Sequence, residues 1–205
     1  VNVVVSFTVA AGLVAYYGFE EGTGTSTADS SGRGNNGSVN GATWTTSGRV
    51  GRALTFDGVN DRVDVPDSSS LDLTTGMTLE AWLYPTNLSD WRTVIMKEFT
   101  GDLSYLMYAN DGVPRPSAGV RIGSAGQYVR GSSGLPLNTW THLATTYDGS
   151  ALRIYVNGAQ VGSQALTGSI VASTLPLRIG GNAVWGEYFA GRIDEVRIYN
   201  RALTA

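Results

Sequence analysis

The sharpest alternation of apolar and polar positions lies near the end of the chain, in GRIDEVRIYNRAL at residues 191–203. A strand there places Asp194, Val196 and Ile198 on one face and Ile193, Glu195, Arg197 and Tyr199 on the other. Val196 and Ile198 read as core, which sets Asp194 on or near the apolar side. A carboxylate in that position has to be paired, hydrogen-bonded or metal-bound. A hydrogen-bonded Asp at a strand start and a metal ligand both satisfy the requirement. Earlier runs predict strands at 13–19, 53–56, 62–65 and 77–84, the last stopped by Pro85. Segments 91–99 and 104–109 form a hairpin pair, and 115–123 and 127–131 continue the meander. Strands at 140–147, 152–156, 159–163 and 177–179 follow, with Asp148-Gly149-Ser150 and Asn157-Gly158 as hairpin turns. Many short strands at hairpin spacing, with no helical period and no repeat, predict an all-β fold. The expected architecture is a two-sheet antiparallel β-sandwich.

Composition narrows the function more than the fold. The chain has 205 residues, a net charge of −3 and no basic run, so nucleic acid and anionic membrane are poor partners. It has no Cys, which removes disulfides and thiolate metal sites, and no apolar run long enough for a spanning helix. Residues 1–11 are apolar without a basic start and are expected to be a tail or linker from a preceding module. The domain proper is expected at 12–205, within an exported, secreted or cell-surface protein.

Catalytic constellations are sparse. The single His142 shares a strand face with Trp140 and Ala144 and reads as a structural strand residue. Glu80 stands alone on its strand, and the adjacent pairs Glu20-Glu21 and Asp194-Glu195 would face opposite ways. Aromatic residues are the stronger signal. Trp82, Trp140, Tyr147, Tyr155 and Phe56 sit in regular strands and are assigned to packing, as is Trp44. Trp91, Tyr105, Tyr108, Tyr128, Trp185 and Tyr188 lie in the less patterned middle and in the loop 180–188. Sugar rings stack on such platforms, with Arg121, Asn182 and Glu187 as polar partners. Tyr105 and Tyr108 are three apart, so an unbroken strand allows at most one of them on a given sheet surface. The candidate carbohydrate-binding set is Trp91, Tyr105, Arg121, Tyr128, Trp185 and Tyr188. The loop DSSGRGNNG at 29–37 offers oxygens and residues that tolerate positive φ. A flexible turn and a hard-cation site both fit it.

The closing run 191–203 resembles the final motif of bacterial laminin-G-like domains of the concanavalin A-like lectin/glucanase superfamily. Further matching runs are GLVAYYGFEEGTGTSTADSSGRGNNG at 12–37, ALTFDG at 53–58 with MTLEAWLYP at 77–85, and NTWTHLATTYDG at 138–149 with LRIYVNG at 152–158. The resemblance implies a jelly-roll sandwich with first and last strands adjacent. It also implies a structural Ca²⁺ held by Asp29, the backbone oxygen of Gly32, Asn35 and Asp194. The family's glucanases carry Glu-x-Asp-x-Glu on one strand, and its alginate lyases a Gln-x-His motif; neither occurs here. The expectation is therefore a non-catalytic carbohydrate-binding module working beside other domains of its chain. A protein-interaction or spacer domain of an adhesin is the alternative, and a glycoside hydrolase or polysaccharide lyase the least favoured reading.

Overall fold

The computed structural model describes residues 10–204, so most of the expected tail lies outside the described residues. Two eight-stranded antiparallel sheets face each other. With strands numbered in chain order, the first sheet runs β14 (Ala159–Ala165), β13 (Ala151–Val156), β12 (Thr141–Tyr147), β7 (Met77–Asn87), β16 (Ala190–Tyr199), β5 (Ala53–Asp57) and β4 (Thr43–Thr45). β1 (Leu13–Tyr17) also pairs with β16, so the first and last strands are neighbours as expected. The second sheet runs β11 (Ala125–Arg130), β10 (Ser117–Ile122), β9 (Asp102–Asp111), β8 (Trp91–Phe99), β15 (Leu177–Ile179), β6 (Arg62–Val65), β3 (Gly37–Asn40) and β2 (Ser26–Thr27). The short β2, β3 and β4 are too brief to show a period and were not predicted. No helix among the described residues is long and apolar enough to cross a membrane.

The core fills the space between the sheets by the period-two rule. Met77, Leu79, Ala81 and Leu83 of β7 are all fully buried, and they meet Val63, Val65, Tyr105, Met107, Leu177 and Ile179 from the other sheet. A smaller apolar cluster of Met96, Leu103, Leu106 and Tyr108 lies apart from this core, with Val184 packed on it.

Two local expectations are corrected. Pro85 does not end β7, which continues to Asn87. Pro85 faces Gly191 at a register shift in β16, and β12 has already ended opposite Leu83, so no ladder partner needs the missing N–H. The faces of β16 also differ from simple alternation. Asp194 pairs with Trp82 and Arg197 with Glu80, three steps on β16 against two on β7. This β-bulge, with Glu195 at φ 54°, turns Ile193, Val196 and Ile198 all into the core.

Candidate functional site

The loop between β15 and β16 folds back over the outer face of the second sheet. Gly181 and Tyr188 form an isolated β-bridge, and the Asn182 backbone N–H donates to the Glu187 carbonyl at 3.1 Å. Inside this small hairpin the Asn182 side chain is fully buried. Its amide donates to Thr93 Oγ1 and to Glu187 Oε2, both at 2.8 Å, and its carbonyl accepts the Trp185 N–H at 2.7 Å. Glu98 accepts the Ala183 N–H at 2.6 Å. The loop is thus held by buried polar contacts to β8, which fixes where Trp185 and Glu187 stand.

Trp91, Tyr108, Tyr128, Trp185 and Glu187 line one pocket of about 290 Å3. Trp91, Tyr128 and Trp185 are 37%, 39% and 44% exposed, high values for such large apolar side chains. Tyr108 is buried beneath them, its ring 5.3 Å from that of Trp91 in an edge-on arrangement. Its hydroxyl donates to Glu187 Oε2. Tyr128 lies across β10 and β11 where the opposing residues have no side chain. A Cβ on Gly119 or Gly126 would come within 2.8 Å of its ring or hydroxyl. The glycines therefore let the ring lie flat on the sheet.

Burial raises the Glu187 carboxyl above its ordinary value of 4.5, and hydrogen bonds from Tyr108 and Asn182 oppose that shift. Burial also keeps the Tyr108 phenol well above the usual range, so it remains a donor. Oε2 takes both of these donors, while no donor among the described residues bonds Oε1. The pocket therefore combines three part-exposed aromatic faces with one carboxylate oxygen able to accept a hydroxyl.

Because the folded state holds the Glu187 proton more tightly than the unfolded chain, its contribution to stability falls as pH rises from 4.5 through the raised value. Acidification should therefore stabilise the wild type relative to Glu187→Gln, and weaken any binding that uses the ionised oxygen. Paired melting and binding curves from pH 7 to pH 4 test this (a working range set around the ordinary carboxyl value). Parallel curves for the two proteins would refute it.

The sequence-predicted binding residues divide. Trp91, Tyr128 and Trp185 converge. Tyr105 does not: it is fully buried in the inter-sheet core, and its hydroxyl donates to the Leu71 carbonyl at 2.9 Å. Strand parity allowed one of the two tyrosines on the outer face, and it is Tyr108. Arg121 is also excluded from the pocket. Its guanidinium pairs with Asp102, donates to the Ser124 carbonyl at 2.8 Å and stacks 4.7 Å over Phe99. Tyr188 packs against Gly181, where a Cβ would be 2.5 Å from its ring, and is not among the pocket residues.

Of the four expected calcium ligands, Asp29, Gly32 and Asn35 share one loop, and Asp194 stands apart from it. Asp29 Oδ1 accepts the N–H of Tyr16 at 3.0 Å and of Ser31 at 2.8 Å; Oδ2 accepts the Asn35 N–H at 3.0 Å and the Ser31 hydroxyl at 2.8 Å. Gly32 supplies a left-handed turn at φ 82° within this loop. The Asn35 amide donates to the Val14 carbonyl at 2.7 Å. Asp194 is engaged elsewhere: Oδ2 accepts the N–H groups of Arg49 at 2.8 Å and Val50 at 2.9 Å. Tyr16 turns its backbone N–H and carbonyl to residues 29 and 30, on the edge of β1 away from β16. Strand β1 therefore lies between Asp29 and Asp194, and the carboxylates are spent on backbone donors. The residues present do not fit the calcium centre that the resemblance implies. Buried as it is, Asp194 is pushed up to about 6, chiefly by desolvation.

Glu80 and Glu195 share one guanidinium, that of Arg197. Glu195 also accepts the Tyr16 hydroxyl at 2.9 Å. His142 stands 3.6 Å from Glu80 and its ring 5.3 Å from Trp82. Trp82 and Trp140, assigned to core or sheet packing, stand half-buried on the outer face of the first sheet, with His142 and Arg49 around an open pocket. The signal was present: Trp82 shares its strand face with Thr78 and Glu80, not with the leucines.

Comparison with known proteins agrees with this architecture. Mouse pappalysin-1 is 37% identical over 70 residues, which is 32% of this chain and only 4% of that protein. Domain 4 of AbnA, a GH43 extracellular arabinanase from Geobacillus stearothermophilus solved with arabinotriose, superimposes with a TM-score of 0.74 at 24% identity, over 94% of each chain. The binding domain of Paraclostridial Mosquitocidal Protein 1 gives the same TM-score at 18% identity, over 96% of this chain and 51% of that one. The laminin G model of the concanavalin A-like lectin/glucanases superfamily matches residues 57–205, and the chain belongs to that superfamily.

Proposed function

We propose that this domain is a non-catalytic carbohydrate-binding module of an exported protein, and that it holds a neutral oligosaccharide in the Trp91–Tyr128–Trp185 pocket. The carrying observation is three part-exposed aromatic side chains around one carboxylate with an unused oxygen. Indole and phenol faces take the C–H faces of sugar rings, and Glu187 Oε1 accepts a hydroxyl. The rigid loop hydrogen bonds reduce the ordering cost of binding. The arabinotriose complex of the similar arabinanase domain, an extracellular protein, supports both the ligand class and the exported setting. The non-catalytic reading rests on the missing one-strand Glu-x-Asp-x-Glu motif of the superfamily's glucanases, and is supported by the pairing of Glu80 and Glu195 with one guanidinium, that of Arg197.

A glycan array followed by calorimetry on neutral oligosaccharides tests this. Trp185→Ala and Trp91→Ala should each weaken binding at least about tenfold, as aromatic anchors of small interfaces do. Both side chains are exposed enough that the fold should survive. Full retention of binding by the folded double variant would move the site elsewhere. Absence of binding to every glycan would favour a protein-interaction domain.

A further inference from the structure

The outer face of the first sheet carries a second aromatic surface with the opposite charge character. Alternation along β7 turns Thr78, Glu80, Trp82 and Tyr84 outward while Met77, Leu79, Ala81 and Leu83 fill the core. Across the ladder, His142 of β12 stands opposite Trp82. The loop before β12 brings Trp140 to 5.6 Å from Tyr84, and the loop before β5 lays the Arg49 guanidinium 4.3 Å from the Trp82 ring centroid. Arg49, Trp82, Thr139, Trp140, His142 and Asn157 enclose an open pocket of about 710 Å3. No Asp or Glu lines it, in contrast to the Glu187 pocket.

Arg49 decides the chemistry. Its backbone is fixed, because its N–H donates to the buried Asp194 at 2.8 Å. Its guanidinium carbon sits over the Trp82 ring, yet among the described residues it makes no ion pair. That leaves the N–H fork free, and the fork matches a carboxylate in bidentate fashion. A second cation, Arg192, stacks 4.4 Å over Tyr84 and donates to the Ser47 carbonyl at 3.1 Å. Glu80, on this face beside His142, stands 3.6 Å from His142 and pairs with Arg197 at 3.8 Å. Asp194 itself lies buried behind the loop. Trp140 supplies an apolar wall, while Thr139 and Asn157 stand ready for hydroxyls. The Asn157 carbonyl is spent on the His142 N–H at 2.9 Å, leaving the amide NH2 to donate.

We propose that this Arg49–Trp82–Trp140 pocket is a second glycan site, selective for a sugar that carries a carboxylate. A flat aromatic wall beside a cationic fork and small hydrogen-bonding groups favours a sugar acid over an acidic peptide, which would need a cleft for its backbone. The site stands apart from the Trp185 pocket and does not depend on it.

The test is calorimetry with trigalacturonate, trimannuronate and 3′-sialyllactose, each beside its neutral counterpart, and with a hexaglutamate peptide. At least one sugar acid should bind the wild type tenfold or more tightly than its neutral counterpart. Arg49→Gln should erase that preference, and Trp140→Ala should reduce binding of both forms. Trp185→Ala should leave binding of the sugar acid itself unchanged, which separates this site from the other. Arg49 is exposed and its backbone bond to Asp194 survives the change, so the Arg49→Gln fold should be intact by its melting curve. The proposal is overturned if no sugar acid outbinds its neutral partner, if Arg49→Gln leaves the preference in place, if Trp185→Ala removes it, or if hexaglutamate binds as tightly as the best sugar acid.

Discussion

Tyr105→Ala should destabilise the domain by about 4 kcal/mol, the usual cost of removing a buried aromatic ring. The ring is fully buried among the inter-sheet core residues, so its loss leaves a cavity that two packed sheets cannot collapse to fill. Tyr105→Phe should cost only about 1 kcal/mol, chiefly the hydrogen bond to the Leu71 carbonyl. Urea unfolding of the three proteins checks both values. The contrast with Trp185→Ala is the informative part, because that change should leave stability almost untouched and affect binding. A stable, well-folded Tyr105→Ala protein with weakened glycan binding would contradict the burial described for Tyr105.

The second large effect concerns the one lysine of the chain. Lys97 lies on β8 and its side chain is fully buried. Its ammonium pairs with Asp67 and donates to the Leu175 carbonyl at 2.6 Å. Asp67→Ala strips the counter-ion from a buried charge, and should destabilise the fold by up to about 3 kcal/mol. The Asp67 side chain is 33% exposed, so entry of water in its place would hold the cost at or below that figure. Lys97→Met removes the charge together with its need for a partner and should cost less, about 1 kcal/mol. Denaturant midpoints decide the order. If Asp67→Ala proved no worse than Lys97→Met, the ammonium would not be confined as the structure has it.

Much of the candidate surface was legible because strand parity is a local property. The spacing of Tyr105 and Tyr108 allowed only one of them on the outer face, and Trp91, Tyr128 and Trp185 lie in the less patterned parts of the chain. What parity could not choose was which tyrosine faced out. Arg121 failed as a ligand residue for a related reason: its partner Asp102 comes from the neighbouring strand β9, and only the folded sheet sets those strands side by side. Trp82 and Trp140 were assigned to core or sheet packing, since large aromatics in regular strands usually pack, and that left the choice of face open. The polar strand-mates of Trp82, Thr78 and Glu80, argued for the outer one.

The sequence by itself determined the all-β class, most of the strand positions and the adjacency of the first and last strands. The class and the strand positions follow from residue periodicity and turn chemistry, which act within short stretches of chain, and the adjacency is what the resemblance of the end motifs implies. The tertiary structure alone decided the rest. The β-bulge at Asp194 and Glu195 turns Ile193 into the core, and it sits at a residue that is not glycine, so nothing local announces it. The separation of Asp29 from Asp194 follows from β1 lying between them. Both aromatic pockets draw residues from strands and loops far apart in the chain, and Arg49 reaches Trp82 only because the loop holding it bonds to Asp194. Such long-range placement depends on which backbone groups find partners when the two sheets close, and that is a property of the whole sandwich.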